Sequence, residues 1–147
     1  MKFKHTQNHF QKCKEITWQD VIEKIDNASF NGNCTTISKS THAPTIVLDD
    51  QYYINSMKFS YEEVKKETGI NFMHVYTSLG RNALTFGRHC DEVDVLIVQS
   101  VGNMDYKFDC GTSVTIKPGD SLYIPKTVYH DPIVYEPRIT LSFSWKW

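Results

Sequence analysis

Residues 118–130 read PGDSLYIPKTVYH, and residues 87–102 read GRHCDEVDVLIVQSVG. In the first stretch, Pro118-Gly119-Asp120 signals a turn that starts a strand, and Pro125 ends that strand because it has no N–H for a ladder. Five residues separate Gly119 from Pro125 and four separate Pro125 from His130. The chain then returns with His130 facing inward. In the second stretch His89 and Asp91 lie two positions apart. Strand residues at i and i+2 share a face, so both side chains reach one point while Cys90 turns away.

Working outward, the chain from Ile70 onward reads as short strands. They are NFMHVYT (71–77), ALTFGRH (83–89), DVLIVQSV (94–101), MDYKFD (104–109), SVTIK (113–117), SLYIP (121–125), a short one around HDPIVY (130–135), and RITLSFSW (138–145). They are rich in β-branched and aromatic residues, and Gly80, Gly87, Gly102, Gly111 and Gly119 punctuate them. This density of strands and turns points to a mainly β fold, a closed or sandwiched antiparallel sheet. DVLIVQSV is apolar on both faces, as a strand covered on both sides should be.

Upstream, Thr17 is placed to cap a helix over WQDVIEKI, with Trp18, Val21, Ile22 and Ile25 at helical spacing. Residues 27–43 are polar and irregular and read as loop. Ser60 and Glu63 form a capping box ahead of YEEVKKET, which Gly69 can close. The expectation is one domain over residues 1–147, with residues 1–44 as an extension packed outside the strands. Phe30 or Trp18 would then sit at the mouth.

Composition narrows the function. Of 147 residues, 40% are hydrophobic, so one core can be buried without staples. Sixteen basic against seventeen acidic residues leave a net charge of -1. No electrostatic case for nucleic acid or an anionic membrane follows. Cys13, Cys34, Cys90 and Cys110 form no CxxC pair, and no signal-peptide core or transmembrane-length run is visible. A cytoplasmic protein with reduced thiols, as monomer or homodimer, is the expectation.

The constellation that carries chemistry is His89, Asp91 and His130. Two imidazoles and one carboxylate on adjoining vertices leave coordination positions open, an arrangement used for Fe(II) and oxygen chemistry.

On these two stretches and RITLSFSW, the chain from His74 to Trp147 resembles the JmjC-like branch of the cupin superfamily, the ribosomal oxygenase and asparaginyl hydroxylase type. The resemblance implies a double-stranded β-helix (cupin or jelly-roll) barrel, an Fe(II) ion on His89, Asp91 and His130, and 2-oxoglutarate as cosubstrate. It also implies hydroxylation of an unknown protein or small-molecule substrate, with no catalytic group beyond the metal ligands. Where relatives often carry a lysine for the distal carboxylate of 2-oxoglutarate, this chain has Met104. Arg138, at the start of the last strand, and Lys107 are the cations that could replace it. Tyr76 stands where ribosomal oxygenases have a cosubstrate-binding tyrosine, and His74 where they have an asparagine.

Two other functions fit the same residues. One is a metal-binding cupin dioxygenase without 2-oxoglutarate, which Met104 favours. The other is a non-catalytic barrel that binds a ligand or partner, against which the intact triad argues.

Overall fold

The computed structural model describes residues 2–30, 34–39, 41–49 and 53–146, with only the backbone of Ser29 and Phe30. In chain order the elements are β1 (Lys4–Thr6), a 3-10 turn (Lys12–Glu15), α1 (Trp18–Phe30), β2 (Cys34–Lys39), β3 (His42–Leu48) and α2 (Asn55–Thr68). Then follow β4 (Phe72–Ser78), β5 (Val95–Val101), β6 (Met104–Phe108), β7 (Ser113–Ile116), β8 (Ser121–Ile124), β9 (His130–Ile133) and β10 (Arg138–Ser144). They form a seven-stranded sheet, β1-β8-β5-β10-β4-β3-β2, and a three-stranded sheet, β7-β6-β9. Every strand pairing in both sheets is antiparallel, consistent with the expected jelly roll.

Strand periodicity divides the large sheet into two faces. Met73 and Val75 of β4, Leu96 and Val98 of β5, and Ile139, Leu141 and Phe143 of β10 join one core with Val21 and Ala28 of α1 and Met57 and Val64 of α2. A second core, between the sheets, holds Val95, Ile97, Met104, Tyr106, Phe108, Ile116, Leu122 and Ile124. β5 contributes to both cores, which explains its apolar character on both faces. On β10 the residues alternating with the helix-side set are Arg138, Thr140, Ser142 and Ser144, all buried. That polar row is unusual for a sheet interior and marks the site.

Four expectations are corrected. Residues 27–43 are not all loop: β2 and the start of β3 form a hairpin that extends the large sheet. β1 likewise pairs with β8, so residues 1–44 supply strands as well as the outer helix. Thr- and Ser-rich edge strands lack the apolar alternation that announces a strand. ALTFGRH is not a strand. Within it only Ala83 and His89 pair, each through an isolated bridge. Finally, Ser60 is no cap. It lies buried inside α2, which begins at Asn55, and its single hydroxyl proton is shared between Ser56 O at 3.0 Å and Lys12 O at 3.1 Å.

The other helix signals hold. Thr17 Oγ1 accepts from Asp20 N at 3.2 Å while Asp20 Oδ2 accepts from Thr17 N at 2.8 Å, a reciprocal cap. Gly69 closes α2 with φ 73°, a left-handed conformation that glycine adopts without a Cβ penalty. No helix among the described residues is long and apolar enough to cross a membrane.

Candidate metal centre

His130 opens β9, and its backbone bridges to His89 in the long segment between β4 and β5. The rings are brought to 4.4 Å between centroids. His89 Nε2 is 3.8 Å from Asp91 Oδ1, and His130 Nε2 is 3.5 Å from Asp91 Oδ2. One ligand atom from each of the three residues falls within 4.8 Å of the others. The distances between Nε2 and carboxylate exceed hydrogen-bond lengths but suit three donors around one ion.

Both imidazoles are oriented in the same way. His89 Nδ1 faces Gly87 O at 2.7 Å and His130 Nδ1 faces Val128 O at 3.1 Å. A carbonyl only accepts, so each ring carries its proton on Nδ1 and turns the Nε2 lone pair toward Asp91. Burial holds His130 below its ordinary pKa, favouring the neutral form that ligates metals.

A cleft of about 470 Å³, including its open mouth, contains this trio together with Tyr76, Tyr106, Arg138 and Ser142. Arg138 is 3% exposed. Its Nε donates to Ser78 Oγ at 2.8 Å. Thr45 Oγ1 donates to Leu84 O at 2.6 Å, so its contact with Ser78 Oγ at 2.8 Å must be donated by Ser78. That ordering leaves a Ser78 lone pair for Arg138. Among the described residues no carboxylate pairs with this guanidinium, and its two terminal amino groups form no hydrogen bond. Burial pulls its pKa down, opposed by Tyr106 and Tyr76, yet an arginine stays charged under these conditions. Its charge centre lies 5.6 Å from the Tyr76 ring. Burial, with Asp91 nearby, pushes the Tyr76 phenol up to about 12, so it remains a hydrogen-bond donor.

The structure thus brings His89, Asp91, His130, Tyr76 and Arg138 together. His74 is on the same strand face as Tyr76, with ring centroids 6.1 Å apart, but does not line the cleft. Lys107 is exposed on β6, between the inward Tyr106 and Phe108, and does not line the cleft. Met104 is buried in the core between the sheets. Trp18 packs against the helix-side core and not at the cleft mouth, and the Phe30 side chain lies outside the described residues. Sequence reading missed Thr45, Ser78, Phe86 and Tyr106. For Tyr106 the signal was present: it alternates with Met104 and Phe108 in MDYKFD.

No protein-family model matches the sequence, and no curated protein matches it. Solved structures do. The ribosomal oxygenase YcfD from Escherichia coli, in complex with cobalt and 2-oxoglutarate, aligns with TM-score 0.72 at 12% identity, over 99% of this chain and 48% of that one. A Pseudomonas putida prolyl-4-hydroxylase gives TM-score 0.57 at 10% identity, over 98% and 92%. The non-haem alpha-ketoglutarate-dependent epimerase SnoN from nogalamycin biosynthesis gives 0.59 at 12%, over 96% and 76%. The chain spans about half the length of the ribosomal oxygenase structures. At these identities the likeness is one of fold: the chain has the fold shared by a ribosomal oxygenase, a prolyl-4-hydroxylase and an alpha-ketoglutarate-dependent epimerase.

Proposed function

We propose that the chain is a non-haem oxygenase using Fe(II) and 2-oxoglutarate. His89 and His130 would each offer Nε2 and Asp91 a carboxylate oxygen, a donor set of two neutral imidazoles and one anion that suits Fe(II). Bound together, the metal and 2-oxoglutarate supply the power to oxidise a C–H bond with molecular oxygen, and the protein supplies position and shelter.

The observation that carries the cosubstrate is Arg138. A buried cation without a carboxylate is costly to desolvate, so the fold has reason to hold it only where an anion arrives. Arg138 lines the cleft that contains the trio, and a guanidinium can take a carboxylate with two parallel bonds. Ser78 fixes the third nitrogen, and Tyr76 offers a protonated hydroxyl alongside. Tyr106 and Ile97 line the cleft and limit water there.

Supplied with Fe(II) and 2-oxoglutarate in air, the protein should release succinate, and Asp91→Ala should not. Release no faster than that of Asp91→Ala would remove this reading. A metal-binding cupin enzyme without 2-oxoglutarate is the second reading. Met104, buried where relatives often carry a lysine, favours it.

A further inference from the structure

Phe86 is 58% exposed although it lines the cleft. Its ring stands edge-on to both Tyr76 and His89, each at 6.1 Å between centroids. The backbone around it is pinned. Thr85 Oγ1 donates to Pro132 O at 3.0 Å and accepts from Gly87 N at 3.0 Å, and His89 bridges to His130. Phe86 is therefore held at the mouth by its neighbours' hydrogen bonds and not by burial of its own ring. Exposed Phe59 and Ile22 lie on the outer helices and ask for no such account.

Once the trio and Arg138 are engaged, the remaining cleft lining among the described residues carries no charge. It consists of the apolar Ile37, Phe86, Ile97 and Pro132 together with uncharged hydroxyl-bearing residues, Tyr106 and Thr85 among them. A substrate ammonium, guanidinium or carboxylate entering here would lose hydration without a partner. An uncharged ring would lose little and gain contact with Phe86. The opposing effect, attraction of a cation to the Phe86 face, is weak at an exposed phenylalanine.

We propose that the cleft accepts an uncharged aromatic or bulky apolar group as the reacting part of its substrate, and that Phe86 selects it. The proposal rests on the reading in which the trio holds metal and Arg138 holds 2-oxoglutarate.

Three probes test it by saturation-transfer NMR: N-acetyl-phenylalaninamide, N-acetyl-argininamide and N-acetyl-glutamic acid amide, each with the protein holding Zn(II) and 2-oxoglutarate. The aromatic probe should bind about tenfold more tightly than either charged one, and Phe86→Ala should cost it about tenfold while Phe86→Trp retains it. Replacing Zn(II) by Mn(II) should broaden its ring protons. Equal or better binding of the arginine probe, or binding indifferent to Phe86→Ala, overturns the proposal. The aromatic probe is also measured on the protein without metal or 2-oxoglutarate. Phe86-dependent binding there, with no Mn(II) binding by electron paramagnetic resonance, strikes the metal reading and leaves the role of Phe86 standing.

Discussion

His89 and His130 donate their backbone N–H groups to each other's carbonyl oxygens, at 2.9 and 2.8 Å, forming an antiparallel bridge of one rung. The bridge gives a residue of an irregular segment the fixed position of a strand residue. It also places Asp91, two residues on, within reach of both imidazoles.

Removing Asp91 leaves two neutral imidazoles, which hold a hard divalent ion poorly. Asp91→Ala should reduce Mn(II) affinity at least a hundredfold, about 3 kcal/mol, with the fold intact by circular dichroism. Titration followed by electron paramagnetic resonance reads it. Unchanged affinity would place the metal elsewhere.

Arg138→Ala should weaken 2-oxoglutarate by about 2–3 kcal/mol and leave Co(II) affinity nearly unchanged, as calorimetry would show. Arg138→Met removes the charge but keeps much of the stem's packing, so a matching loss in both variants assigns the effect to the charge. Normal binding in both would mean that another donor holds the carboxylate.

Arg88 and Tyr129 immediately precede His89 and His130. Arg88 grips Asp109 through Nε at 2.8 Å and a terminal nitrogen at 2.5 Å, and its charge centre lies 4.2 Å from the Tyr129 ring. The clamp is solvent-exposed, so its effect on global stability should be slight. Its expected effect is local: Arg88→Ala should speed amide hydrogen exchange at His89 and His130, with the amides of β10 unaffected. Uniform exchange rates in the two proteins would show that the backbone bridge needs no outer support.

Asp120 ties the N-terminal strand to the turn before β8. It accepts from Asn8 N at 2.8 Å, Lys117 N at 3.1 Å and His5 Nε2 at 3.0 Å. Burial alone would raise its pKa, but these donors outweigh it and hold it below 3.8. A depressed carboxylate stabilises the fold above its unfolded pKa and loses that contribution as pH falls through the folded one. Urea unfolding should therefore show stability declining as pH drops below 3.8. Asp120→Ala should cost about 1–3 kcal/mol at pH 6 and much less once the parent's carboxylate is protonated. An equal cost at both pH values would assign the effect to packing.

Most of the strand pattern from Phe72 onward was legible because β-branched and aromatic residues cluster between glycine turns. The convergence of His89, Asp91 and His130 was legible from motif spacing, although the inferred reason was only partly right. His89 sits in a one-rung bridge and Asp91 in irregular backbone two residues on, and neither belongs to a regular strand. The β2–β3 hairpin was hidden by its threonines and serines, whose side chains suit an exposed edge as well as a loop. Arg138 was legible by position alone. That it is buried and lacks a carboxylate partner depends on the register Arg138↔Ser78↔Thr45, which joins residues far apart in sequence. Phe86 could not be found by pattern, since a lone phenylalanine in an irregular segment has no period.

Anaerobic titration with Fe(II) and then 2-oxoglutarate, followed in the visible, tests the central claim most directly. Fe(II) should bind at one equivalent, and 2-oxoglutarate should then raise a weak metal-to-ligand charge-transfer band that Arg138→Ala shifts to higher cosubstrate concentration. Fe(II) binding with no band at any 2-oxoglutarate concentration would contradict the account and leave a metal-binding cupin in its place.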